Sequence, residues 1–178
     1  MTDAAVVERV LAGDADAYAI LVDRYYDRFA RYAVHMVGNR EDAEEAVQDA
    51  FVRAYRSLGQ YEERERFAAW LFRILMNQCR TVAALGRRRA RTFPDVDPGE
   101  LTLTDAGGAE RQELRDRLER ALAQLSPEQR EAVVLRYGED LSYDDMAAVT
   151  GAGVSALKMR VKRAFARLRE LLQEAYCV

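Results

Sequence analysis

Apolar residues recur along this chain at steps of three and four, the spacing that gathers side chains on one face of an α-helix. A short amphipathic segment covers Ala4–Leu11, and Gly13-Asp14 then supplies a stop and an N-cap. Leu21, Tyr25, Phe29, Tyr32 and Met36 form one stripe, which predicts a helix ended by Gly38. Asn39, with Asp42 three residues on, is a close relative of the capping box. It opens the most regular pattern of all. Ala43, Ala46, Val47, Ala50, Phe51, Ala54, Tyr55 and Leu58 share one face, and Gly59 closes the helix. Glu41, Glu44, Glu45, Gln48, Asp49, Arg53 and Arg56 fall on the other face. A third helix is predicted from about Glu63 to Leu85. Its apolar residues between Phe67 and Met76 cover most of the circumference, so it is buried among other helices or presents aromatics to a partner.

The period is then lost. Residues 92–109 hold two of the three prolines, adjacent glycines and several Asp and Thr, a linker composition. With its flanks, a flexible stretch of about 24 residues reaches roughly 80 Å when extended. Beyond it Leu114, Leu118, Leu122 and Leu125 mark a helix stopped at Ser126-Pro127-Glu128-Gln129, a capping box with proline at the first helical position. Ala132, Val133, Leu135 and Arg136 carry the next helix to Gly138. Leu141-Ser142-Tyr143-Asp144-Asp145 starts a short helix that ends at Thr150-Gly151-Ala152-Gly153. The last runs from about Val154 to Tyr176, with Leu157, Val161, Phe165, Leu168 and Leu172 on one face. A short helix, a glycine-containing turn and a longer basic helix is the helix-turn-helix layout. The expected architecture is therefore all-α: two small helical domains, residues 1–91 and 110–178, joined by a flexible linker over residues 92–109.

Composition narrows the function. Among 178 residues there are only 10 glycines and 3 prolines, too few for an all-β chain. No apolar run approaches the roughly 18 residues that span a membrane. The start, Met1-Thr2-Asp3-Ala4, lacks the basic flank and apolar core of a signal peptide. Cys79 and Cys177 cannot form a disulfide framework and fit a reducing cytoplasm, while a single histidine, His35, argues against most metal sites and His-based catalysis. No cofactor is expected. The net charge of −3 hides an alternation: residues 61–92 carry 8 arginines against 3 acids and residues 153–178 carry 6 cations against 2 acids, while residues 1–60 and 93–152 are acidic. The basic blocks are candidate phosphate-contacting surfaces or simply solvated helix faces.

Three segments carry a resemblance. Asp42-Ala43-Glu44-Glu45-Ala46-Val47-Gln48-Asp49-Ala50-Phe51-Val52-Arg53-Ala54-Tyr55 resembles the core-polymerase-binding helix of bacterial sigma factors. Phe67-Ala68-Ala69-Trp70-Leu71-Phe72-Arg73-Ile74-Leu75-Met76-Asn77 with the arginine run after it resembles their −10 reading region. The stretch from Leu125-Ser126-Pro127-Glu128-Gln129-Arg130 to Leu168-Arg169 resembles their −35 reading domain. In order, and joined by a linker, these resemble the small extracytoplasmic-function class of the sigma-70 family.

The resemblance implies a protein without catalytic duty that binds core RNA polymerase, places it at promoters and helps open the duplex. Glu45, Gln48, Asp49 and Val52 are then the candidates for docking on the clamp helices of the largest subunit; the flap region is a further partner. For the −10 element the candidates are Phe67, Trp70, Arg73, Asn77, Arg80, Arg87 and Arg88. Phe67 and Trp70 either contact the melted strand or pack in the core, the arginines face phosphates, and Asn77 matches an asparagine near the pocket of a flipped base. Gln78-Cys79-Arg80-Thr81 lacks the aspartate common at that point of the family. For the −35 duplex they are Ser155, Lys158, Met159, Arg160 and Arg163, Lys and Arg pairing with guanine edges or phosphates and Met159 replacing a serine frequent in the family. The resemblance also implies an anti-sigma factor, a cytoplasmic location, at the inner membrane where that inhibitor is membrane-bound, and a linker whose Asp95, Asp97 and Glu100 mimic RNA near its exit path. Two other classes stay open. One is a stand-alone helix-turn-helix regulator, which would bind duplex DNA tightly without polymerase. The other is an enzyme, the weaker reading, since neither a glycine-rich phosphate loop nor a nucleophile-base pair stands in the chain.

Overall fold

The structure, a computed structural model, describes residues 1–62, 67–92 and 109–174, with side chains for residues 1–62, 67–86 and 112–173. The chain divides into two compact units, Met1–Val96 and Asp97–Val178. Every regular element among the described residues is helical. The expected linker, residues 92–109, lies outside them except at its two ends.

In the first unit, helix α1 (Asp3–Leu11) is capped by Thr2, whose hydroxyl accepts from the Ala5 N–H. Asp14 caps the single turn Ala15–Ala17 that leads into α2 (Tyr18–Val37). Gly38 ends α2 in the left-handed conformation, φ 93°, and donates its N–H to the Val34 carbonyl. Asn39 caps α3 (Arg40–Ser57) by accepting from the Asp42 N–H at 2.8 Å, a cap worth about 1 kcal/mol. Helix α4 runs Phe67–Thr92, seven residues beyond the expected end at Leu85. The arginine-rich segment continues it because Arg and Ala are strong helix formers and the lone Gly86 does not suffice to break it. Residues 63–66, where the sequence places the start of this helix, lie outside the described residues.

Helices α2, α3 and α4 pack on one another around an aromatic centre. Phe29, fully buried, stacks on Phe51 at 5.4 Å and meets Phe72 edge-on at 5.5 Å, and Tyr32 meets Phe72 at 4.8 Å. Each such ring contributes roughly 1.5–3 kcal/mol by leaving water. Helix α1 is tied to α2 by the Tyr25 hydroxyl, which donates to Asp3 at 2.5 Å, and by an ion pair between Arg24 and Asp3. Burial and the Asp3 carboxylate hold the Tyr25 phenol far above its ordinary pKa, and burial alone does the same at Tyr18, so both stay protonated donors.

The second unit contains α5 (Ala109–Ala123), α6 (Pro127–Val133), α7 (Tyr143–Thr150) and α8 (Val154–Glu174). Ala121, Leu122, Leu125, Val133, Ala164, Leu168 and Leu171 form one cluster. The Ser126 capping box is complete, each partner accepting from the other's backbone. The helix expected to run on to Gly138 instead becomes a π-turn over Val134–Gly138: the Glu139 N–H reaches five residues back to the Val134 carbonyl at 2.9 Å. Ser142 caps α7, and Gly151, φ 73°, closes it with its N–H on the Ala147 carbonyl.

Several stripe positions face solvent. Leu114 and Leu118 are 59% and 43% exposed because the α5–α8 cluster begins only at Ala121. Phe165 is exposed because Ala164 and Leu168 take the inward positions of α8; its ring meets Tyr137 at 4.9 Å instead. Tyr55 likewise leaves the core and leans on Tyr18 at 5.0 Å.

Candidate functional site

Helix α3 carries the first candidate surface. Its small inward residues Ala43, Ala46, Ala50 and Ala54 let it approach α2 and α4 closely, which turns Glu45, Gln48, Asp49 and Val52 outward. All four are exposed, Val52 by 46% despite its apolar side chain. Three and four residues apart, they form one continuous patch. Asp49 is also fixed from behind, since the buried Gln78 of α4 donates its amide to the carboxylate at 3.3 Å. That link between α3 and α4 was missed from sequence, where Gln78 registers only as a departure from the family pattern.

Along α4, Arg73, Asn77 and Arg80 are exposed and follow one another at steps of four and three. The Arg80 guanidinium lies 3.5 Å from the Asn77 amide oxygen, and the Thr81 hydroxyl donates to the Asn77 carbonyl at 2.9 Å. Arg80, Thr81, Ala84 and Leu85 line an open hollow further along the same helix. Phe67 does not join this surface. It is 1% exposed and packs against Tyr25, Tyr61 and Trp70, so of its two expected roles, strand contact or core, the structure gives it the core one and the strand contact falls away. Trp70 is half-buried, its ring 5.0 Å from Tyr61. Arg87 and Arg88 continue the helix, but their side chains lie outside the described residues. Cys79 is buried and His35 half-buried, as structural side chains are.

Helix α8 carries the third surface. Three residues, Gly151-Ala152-Gly153, join α7 to it, and the Gly153 carbonyl accepts the Leu157 N–H at 3.0 Å. Leu157 and Val161 face inward, which leaves Ser155, Lys158, Met159 and Arg163 exposed and Arg160 half-buried. Met159 stands 46% exposed among cations. Lys158 is not loose: its Nζ lies 5.6 Å from the centre of the Tyr143 ring, which is also 5.6 Å from the Arg136 guanidinium. Neither Tyr143 nor Arg136 was singled out as functional from sequence; an aromatic at the first position of the helix preceding the basic one was the available signal.

Among the described residues no group of three His, Cys, Asp or Glu converges to hold a metal ion, and no helix is long and apolar enough to cross a membrane.

Comparison with known proteins gives these surfaces a context. Residues 21–91 match the Sigma-70 region 2 family and residues 115–168 the Sigma-70 region 4 family. The chain is 34% identical over 185 residues to the RNA polymerase sigma-H factor of Pseudomonas aeruginosa, covering 96% of this chain and 94% of that one. It is 34% identical over 176 residues to the ECF RNA polymerase sigma-E factor of Escherichia coli K12, covering 92% and 91%. The sigma factor RpoE of Bartonella quintana, solved in complex with the anti-sigma factor NepR, superposes with a TM-score of 0.73 at 28% identity over 88% of this chain and 96% of that one. This chain therefore belongs to the sigma-70 family as a sigma factor of the extracytoplasmic-function class, a transcription initiation factor that directs RNA polymerase to promoters and not an enzyme.

Proposed function

We propose a division of labour among the three surfaces. The patch Glu45, Gln48, Asp49 and Val52 docks on the clamp helices of the largest subunit of core RNA polymerase. Asn77, Arg73 and Arg80, with Arg87 and Arg88 beyond them and Trp70 supporting the helix, grip the melted −10 strand. Ser155, Lys158, Met159, Arg160 and Arg163 read the −35 duplex, and the domain that bears them meets the flap region. The observation that supports this reading is that each of the three helices keeps one face in its own core and leaves Glu45, Gln48, Asp49 and Val52 on α3, Arg73, Asn77 and Arg80 on α4, and Ser155, Lys158, Met159 and Arg163 on α8 exposed. Acidic and apolar groups together on α3 suit a protein partner, whereas cations around an asparagine on α4 suit a strand with unstacked bases. Cations beside an apolar methionine on α8 suit guanine edges, phosphates and a thymine methyl.

In this reading the working domains of the chain are residues 1–91 and 110–178, residues 92–109 tether them, and Asp95, Asp97 and Glu100 act near the RNA exit path in the holoenzyme. An anti-sigma factor is a further partner, as for RpoE, which was solved in complex with the anti-sigma factor NepR; it would act by covering these surfaces. The protein acts in the cytoplasm, at the inner membrane when its inhibitor is anchored there.

The test is a titration of labelled protein with bacterial core RNA polymerase, followed by fluorescence anisotropy. Wild type is expected to saturate and to be displaced by unlabelled chain. Reversing two charges in the patch, Glu45→Arg with Asp49→Arg, is expected to weaken binding at least tenfold, about 1.4 kcal/mol or more, with the far-UV spectrum unchanged. Undiminished binding by the double variant would remove α3 as the docking surface.

A further inference from the structure

Lysine is a poor reader of DNA when left free. Its four-carbon stem has about 2 kcal/mol of rotamer entropy to lose on docking, and its ammonium is strongly hydrated. A recognition helix gains from any neighbour that places the ammonium beforehand. In this chain Lys158 has such a neighbour. Its Nζ stands 5.6 Å from the centroid of the Tyr143 ring, inside the range of a cation–π contact. The ring belongs to the first residue of α7, so its backbone is set by the Ser142 cap, whose hydroxyl accepts the Asp145 N–H at 3.1 Å.

Arg136 holds the same ring from the preceding turn. Its guanidinium is 5.6 Å from the Tyr143 centroid and 5.5 Å from that of Tyr137, donates to the Leu141 carbonyl at 3.1 Å, and pairs with Asp140 at 3.6 Å. The π-turn over Val134–Gly138 and the left-handed Asp140, φ 50°, set the path of the chain between Arg136 and Leu141. A π-turn and a non-glycine residue at positive φ are both costly local conformations. Here they close a loop that brings Tyr137 against Phe165 of the recognition helix, and Arg136 against the Tyr143 ring beside that helix. Two cations share that ring, and the ring's negative face together with the Asp140 carboxylate offsets their mutual repulsion.

We infer that Tyr143 is a positioning residue for promoter recognition: its ring, locked by Arg136, presets the Lys158 ammonium for contact with the −35 duplex. The inference rests on the reading of Lys158 as a −35 contact. It assigns no DNA contact to the Tyr143 hydroxyl, only to the ring face a role in orientation.

The test uses full-length protein bound to core polymerase. The probes are a promoter duplex enriched by the wild-type holoenzyme from a randomised library and the same duplex with its −35 half scrambled. The ratio of the two affinities is measured for wild type, Tyr143→Leu, Tyr143→Phe, Lys158→Ala and the double variant Tyr143→Leu/Lys158→Ala. Tyr143→Leu is expected to lower the ratio about two- to fivefold, the worth of an exposed cation–π contact. Tyr143→Phe keeps the ring and is expected to match wild type. In the Lys158→Ala background, Tyr143→Leu is expected to change nothing further, which a general loss of helix-turn-helix structure would not reproduce. A ratio that falls equally with Phe, stays unchanged with Leu, or falls again in the double variant overturns the positioning role alone. An unchanged ratio for Lys158→Ala overturns the −35 reading of Lys158, and the positioning role with it.

Discussion

Two glycines of the first unit make a paired prediction of opposite sign. Gly38 joins α2 to the polymerase-docking helix α3 with φ +93° and ψ −1°. A Cβ built there meets no heavy atom within 4 Å, so Gly38→Ala creates no clash with neighbours. Its cost is the residue's own backbone strain at positive φ, about 1–2 kcal/mol. Gly59, in the single turn Leu58–Gln60, also has open space around its Cβ position but lacks the positive φ. Gly59→Ala is therefore expected to stabilise by about 0.4–1 kcal/mol through the unfolded chain. For a unit of this size a kcal/mol moves Tm by roughly 4–8 °C, so the first variant is expected to lose roughly 4–16 °C and the second to gain roughly 2–8 °C. The protein's only tryptophan, Trp70, lies in this unit, so its fluorescence during heating follows this transition specifically. Shifts of the same sign for both variants would refute the attribution to φ.

Other outcomes follow from the packing and the charges. Phe29→Ala empties the centre of the α2–α3–α4 core and is expected to cost about 3–5 kcal/mol by denaturant unfolding; a loss below 1 kcal/mol would contradict its placement. Ser126→Ala removes one arm of a complete capping box and is expected to cost about 1 kcal/mol in the second unit, read by circular dichroism during urea unfolding. Arg9 holds the Asp14 carboxyl below its ordinary range, first by hydrogen bonding to it and then by its charge. That stabilisation is present above the unfolded carboxylate pKa and fades as pH falls through the lower folded value. Arg9→Gln is expected to return the Asp14 titration, followed by NMR, to the ordinary carboxylate range.

The fold was largely legible because helix punctuation is local. Asn39, Ser126, Ser142, Gly38 and Gly151 cap or end helices where their residue types predict, since each satisfies a backbone group within four residues of itself. What periodicity does not reveal is which neighbour covers a stripe. Leu114, Leu118, Tyr55 and Phe165 sit on apolar stripes and yet face solvent: the α5–α8 cluster begins only at Ala121, Ala164 and Leu168 take the inward positions of α8, and Tyr55 rests on Tyr18. Phe67, which the sequence leaves between strand contact and core, is buried because Tyr25, distant in sequence, and nearby Tyr61 both pack on it. The π-turn after Val133 was invisible for a different reason. Ala132, Val133, Leu135 and Arg136 suit an α-helix equally well, and the five-residue bond of Glu139 appears only with tertiary packing. The candidate site positions come from the family's motifs, while their neighbours, Gln78 behind Asp49 and Tyr143 beside Lys158, are set by contacts between helices that the sequence does not display.

The central claim is that promoter recognition by this chain is exercised through polymerase. The most direct test measures binding to a promoter duplex, and transcripts made from it, with the protein alone, with core RNA polymerase alone and with both together. The expected result is weak binding by the protein alone and transcripts from one defined start only when both are present. Lys158→Ala with Arg163→Ala is then expected to lower transcription from the intact promoter but not from one with a scrambled −35 half. Tight binding by the protein alone, with transcription indifferent to its presence, would contradict the account and return the chain to the class of stand-alone helix-turn-helix regulators.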